Sequence, residues 1–114
     1  MRTIIAGSRT ATYSQTIDAI LSRPMPWNIT EVVSGCAMGA DRHGESWADD
    51  LGIPIQRYPA DWRANGKAAG PIRNRQMAEC AEALIVAWDG ASRGTKNMIM
   101  EAKRRGLRVH IHRV

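Results

Sequence analysis

The sequence predicts an α/β fold: a single domain over residues 1–114, with a five-stranded parallel sheet in the order 3-2-1-4-5 and helices on both faces. Three observations lead there. Short apolar, β-branched runs alternate with longer segments of helical spacing. The connections are mostly tight turns of Gly, Ser, Asn and Asp. The chain of 114 residues suits one core and leaves no room for a second.

Arg2 to Ala6 reads as strand one and exits through Gly7-Ser8-Arg9. Thr16 to Leu21 carries Ile17, Ala19, Ile20 and Leu21 at helical spacing, and Pro24 and Pro26 stop it. Ile29 to Val33 is strand two, leading into the small-residue turn Ser34 to Asp41. A helix through His43 to Leu51 ends at Gly52. Ile53 to Tyr58 is strand three, with Pro54 acceptable at an edge. Pro59 to Ala69 reads as the longest irregular piece. Gly70-Pro71 opens a helix reaching about Glu82, with Pro at the first helical position. Ala83 to Trp88 is strand four, Lys96 to Arg105 a helix, and Leu107 to Ile111 strand five.

In a parallel sheet the strand-to-helix turns all emerge at one edge, where ligands bind at the reversal of strand order. Gly7-Ser8-Arg9, Ser34 to Asp41, Gly70 to Asn74 and Asp89 to Thr95 therefore converge. The turn Asp89-Gly90-Ala91-Ser92-Arg93-Gly94-Thr95 is the centre of that set. It has little side-chain bulk and places a helix N-terminus, with unpaired N–H groups, beside the crevice. Phosphate is the usual occupant of such a site.

Residue chemistry assigns the roles. Gly7, Gly35, Gly39, Ala40, Gly70, Gly90 and Gly94 leave room for backbone to approach a ligand. Ser8, Ser34, Ser92, Thr95 and Asn74 offer hydrogen bonds. Arg9 and Arg73 present planar forks to phosphate, with a surface salt bridge as the alternative for each. Asp41 and Asp89 can accept from ribose hydroxyls, and Asp41 equally suits a helix cap. Trp62 is placed either to stack on a base or to pack at an interface.

Composition narrows the classes. Hydrophobic residues make up 44% and charged residues 24%, ordinary for a soluble globular protein. No apolar run is long enough to span a bilayer and no signal peptide is evident, so no membrane role and a cytoplasmic location are expected. Cys36 and Cys80 lack metal-ligand spacing and are expected as reduced thiols. His110 and His112 share a strand face without a third ligand, so no metal is expected. The net charge of +5 favours anionic partners, either a small phosphorylated ligand or nucleic acid. Lys103, Arg104, Arg105, Arg108 and Arg113 form a basic C-terminal stretch suited to a helix C-terminus or to a nucleic-acid backbone.

The five stretches Gly7-Ser8-Arg9, Ser34 to Asp41, Tyr58-Pro59-Ala60-Asp61-Trp62, Gly70 to Met77 and Asp89 to Thr95 together resemble the SLOG superfamily. More narrowly they are similar to its small YspA-like branch, found in bacteria and phages. The resemblance implies a Rossmann-like fold, a nucleotide-derived small-molecule ligand with no required cofactor, and a homodimer or higher homo-oligomer. Two relatives imply different functions. Lonely Guy enzymes hydrolyse the N-glycosidic bond of nucleoside monophosphates, whereas the DNA-processing protein DprA binds single-stranded DNA. Arg73 matches the active-site arginine of the former and is the sole catalytic candidate. Their Pro-Gly-Gly-x-Gly-Thr-x-x-Glu motif has Met98 here in place of Glu, and Glu101 lies nearly a turn further on. The expectation is therefore a binding module, a sensor or sequestering protein for a nucleotide, ADP-ribose- or NAD-like, or cyclic nucleotide signal. A phosphoribohydrolase-like enzyme and a DprA-like DNA binder are the alternatives.

Overall fold

The structure is a computed structural model that describes residues 1–24 and 27–114. Five strands, β1 (Arg2–Gly7), β2 (Glu31–Ser34), β3 (Ile55–Arg57), β4 (Ala83–Trp88) and β5 (Arg108–Arg113), form one sheet in the order β3-β2-β1-β4-β5. Every pairing is parallel, with Ile4 opposite Val33 on one side and Leu84 on the other. The order and direction are those the alternating pattern predicts.

Strand alternation divides the core in two. Ile5, Val32, Ala83 and Ile85 face α1 (Tyr13–Leu21) and α2 (Ala40–Asp50), meeting Ala19, Ile20 and Ala48. Ile4, Ala6, Val33, Leu84 and Val86 face α4 (Ala69–Cys80) and α5 (Arg93–Arg104), meeting Met77, Ala78, Met98 and Ile99. Strands apolar on both faces are what a sheet covered on both sides requires.

Several element boundaries differ from the expectation, each for a local reason. Helix α1 begins at Tyr13, three residues before Thr16, because Thr12 and Gln15 close a reciprocal capping box. Pro24 follows its end, while Pro26 lies outside the described residues. The segment after β3 is not wholly irregular. Asp61 caps a short helix, α3 (Trp62–Asn65), and a 3₁₀ turn (Gly66–Ala68) leads into α4. Pro71 is accordingly the third residue of α4. Helix α5 begins at Arg93, so Gly94 and Thr95 belong to its first turn. No described helix is long and apolar enough to cross a membrane.

Candidate functional site

A cavity of about 920 Å³ opens at the C-terminal ends of the strands. Its walls follow the strand order. The end near β3 and β2 is mostly apolar: Ala37, Met38, Pro59, Ala60 and Trp62. The middle holds Gly7, Arg9, Thr10, Gly35, Asp41, Gly70 and Arg73. The end near β4 holds Asp89, Ser92, Arg93, Gly94, Thr95 and Asn97, with Met98 and Met77 beneath.

Three helix N-termini without a side-chain cap, those of α2, α4 and α5, open onto this space. They are not equivalent. In α2 the position is filled by the chain's own carboxylate: Asp41 lies in the first turn and accepts from Ala37 N at 3.3 Å. Helix α4 continues directly from the 3₁₀ turn, and Ala69 N donates to Gly66 O. Helix α5 has no acidic residue in its first turn, and its first internal bond is Lys96 N to Ser92 O at 3.1 Å. The N–H groups of Arg93, Gly94 and Thr95 have no acceptor among the described residues. A helix N-terminus with its first N–H groups lacking acceptors is chemically suited to an anion.

Asp89 shapes the approach to it. Its Oδ1 accepts from Ala91 N and Ser92 N, both at 2.8 Å, and these bonds hold its carboxyl below the usual range. Ser92 Oγ and Thr95 Oγ1 lie 3.1 Å apart at the head of the helix. Asn74, nearly buried on α4, ties the two helices by donating to Asn97 Oδ1 at 2.8 Å and Gly94 O at 3.3 Å. Its own Oδ1 accepts from Arg73 Nε at 2.9 Å.

Arg73 reaches over this link and donates through Nη1 to Gly35 O. Two arms of its fork thus hold protein, and Nη2 makes no hydrogen bond among the described residues. Gly35 permits the approach: a Cβ there would stand 2.7 Å from Arg73 Nη1 and 2.8 Å from Asp41 Oδ2. Burial pushes the Asp41 carboxyl up to about 6, against the opposing pull of the Ala37 N–H and the Arg73 guanidinium. The next residue, Cys36, holds φ 62 and faces the cavity, and burial raises its thiol.

Of the residues expected at the site, Gly7, Arg9, Gly35, Asp41, Trp62, Gly70, Arg73, Asn74, Asp89, Ser92, Gly94 and Thr95 line the cavity. Ser8, Ser34, Gly39, Ala40 and Gly90 do not, because each is used to hold the frame. Buried Ser8 accepts from Asp89 N at 2.9 Å, locking the turns after β1 and β4 together. Ser34 donates to Glu45 Oε2 at 2.6 Å and accepts from Cys36 N at 3.1 Å. Glu45 takes Arg57 Nε at 2.8 Å; burial raises its pKa, but the Ser34 and Arg57 bonds more than offset that. Gly39 backs against the Ser8 and Arg9 carbonyls, Ala40 is buried beside Gly7, and Gly90 packs under the Arg113 guanidinium.

Sequence reading missed Thr10, Arg42, Arg93 and Asn97 on the wall. Two of them had a signal: Arg42 follows Asp41 in a first turn, and Asn97 shares a helix face with Gly94. Glu101 is buried and paired with Arg104 at 3.1 Å, away from the cavity wall. Among the described residues no cluster of three His, Cys, Asp or Glu is placed to hold a metal. His110 Nε2 and His112 Nδ1 both lie against Ser22 Oγ, at 3.0 and 3.4 Å.

Comparison with known proteins fits this arrangement. The chain is similar to the Gene 61 protein of Mycobacterium phage D29, with 31% identity across 95% of this chain and 93% of that one. No solved structure matches it. Residues 1–64, which carry Gly7-Ser8-Arg9, the Ser34 to Asp41 turn and Trp62, match the profile of one family. With the parallel 3-2-1-4-5 sheet, that match makes the chain a member of the YspA, cpYpsA-related SLOG family.

Proposed function

We propose that this protein binds a nucleotide-derived small molecule and acts as a sensor or sequestering module. The observation that carries the reading is the open first turn of α5, set in the same cavity as Arg9, Arg42, Arg73, Arg93 and Trp62. A phosphate takes the N–H groups of Arg93, Gly94 and Thr95, with Arg73 Nη2 beside it. The base lies toward Met38, Pro59, Ala60 and Trp62, and the ribose spans the middle. Hydrolysis is disfavoured because Met98 supplies no acid or base and Glu101 is committed to Arg104.

The basic C-terminal residues favour a small ligand over a nucleic-acid strand. Arg104 and Arg105 pair with Glu101 and Glu79, while Arg108 and Arg113 lie over Trp27 and Trp88 at 5.6 and 5.9 Å. Calorimetric titration with AMP, ADP-ribose, NAD and cyclic dinucleotides tests the reading, with an oligonucleotide at low and high salt as the contrast. At least one nucleotide should bind with weak salt dependence, and Arg73→Ala should lower its affinity roughly ten- to a hundredfold. Arg73→Lys should restore only part, lacking the planar fork. Tight oligonucleotide binding that falls steeply with salt and resists competition by free nucleotides would put the DNA reading first.

A further inference from the structure

Residues 61–68, between β3 and α4, are all exposed, and neither α3 nor the 3₁₀ turn contributes a buried residue. The hydrogen bonds of α3 run only among Asp61, Trp62, Ala64, Asn65 and Gly66 among the described residues. At its far end Gly66 has φ 53, and nothing lies within 4 Å of the place a Cβ would take. The segment is therefore a small, internally capped unit resting on the body at its two roots, the kind of element that opens at low free-energy cost. It carries one large side chain. Trp62 is 55% exposed, lines the cavity, and has its ring edge 3.6 Å from where a Cβ on Gly70 would stand. At the same end of the cavity Met38, on the turn after β2, lines the wall and is 71% exposed. Two large exposed apolar side chains thus line one end of the cavity, and a flat ring bound there would cover apolar surface on both.

Resting on the nucleotide reading above, we propose that residues 61–68 form the base-recognition arm of the site, closing Trp62 onto a planar ring opposite Met38. The phosphate end of the ligand binds at α5 without the arm. The arm thus selects for an aromatic base and responds to its presence, whereas a sugar phosphate fills only the anion end. Because the arm is exposed outside the cavity, closure also presents a changed surface when a base is bound.

The arm contains two trypsin sites, Arg63 and Lys67, both exposed. Timed digestion of the whole protein, read by mass spectrometry, reports its closure directly. In the free protein these two bonds should be cut first. Saturating AMP should slow both by at least about tenfold, and ribose 5-phosphate should not, although both ligands give heat in calorimetry. Trp62→Ala, at an exposed position, should keep ribose 5-phosphate affinity within about twofold and lose both the protection and about tenfold in AMP affinity. AMP binding with no protection, or equal protection by ribose 5-phosphate, would overturn the arm's role and leave the site reading standing. If none of AMP, ADP-ribose, NAD and the cyclic dinucleotides binds in calorimetry, both readings are overturned; if one of the others binds in place of AMP, that nucleotide takes AMP's part in the digestion and the same outcomes decide.

Discussion

Arg73 and Asp41 meet across Gly35 and not with each other. The guanidinium donates to the Gly35 carbonyl, and Asp41 Oδ2, from α2, stands 2.8 Å from where a Cβ on Gly35 would lie. No ion pair joins them among the described residues. Both groups therefore crowd the place a Gly35 side chain would take, and their positions depend on that residue having none.

Gly35→Ala tests that dependence. The methyl group would displace both Arg73 Nη1 and Asp41 Oδ2, so nucleotide affinity should fall about tenfold or more while the sheet stays intact. Overpacking at a loop of this kind costs roughly 1–3 kcal/mol of stability. Calorimetry and urea unfolding measure the two effects separately, and unchanged affinity would remove Gly35 from the account.

Asp41 also gives the fold a pH dependence of unusual sign for a carboxyl. Burial lifts it to about 6 from an ordinary value of 3.8, so between those values the folded state binds more proton than the unfolded one. Its contribution to stability is full below pH 4 and is lost as the pH rises through 6. Asp41→Asn, which keeps an acceptor for Ala37 N, should raise stability at pH 7.5 by roughly 1–3 kcal/mol. The gain should shrink toward zero near pH 4 in paired urea titrations. A gain independent of pH would mean that packing, not ionisation, causes it.

Catalysis gives a third test. The wild-type protein should release little or no free base from nucleoside monophosphates, followed by chromatography over hours. Met98 is 1% exposed and packed with Met77 and Ile99 beneath the cavity. Met98→Glu would place a carboxylate in that apolar floor, lowering stability by roughly 2 kcal/mol or more and yielding at most a trace of base release. Robust release by the wild type, lost in Arg73→Ala, would put the hydrolase first.

The sheet order was legible because apolar runs and helical spacing alternate without interruption. Boundaries were less so where side-chain chemistry sets them. Thr12 and Gln15 start α1 early through a box that apolar periodicity does not register. Gly94 reads as loop, yet it stands in the first turn of α5. At the site, sequence located the turns but did not separate wall from support. Ser8, Ser34 and Ser92 are alike as hydroxyls, and only tertiary placement turns Ser8 toward Asp89 N and Ser34 toward Glu45. The α3 helix was hidden for another reason: it has no buried face, so no hydrophobic period announces it.

The central place of β1 has a consequence for how the chain comes together. Of the five strands, the one synthesised first is the central one, which needs neighbours on both sides. It gains β2 after about thirty residues, but β4 only once Ala83 to Trp88 have been made. Until then the backbone edge of Thr3 to Gly7 and the apolar face of Ile4 and Val33 lie open. A fragment ending near residue 64 would hold three of the five strands and lack the α4 and α5 layer. The span of the family match, residues 1–64, is thus short of a complete sheet, and the nascent chain passes through a stage in which an unpaired central strand must be kept from other chains.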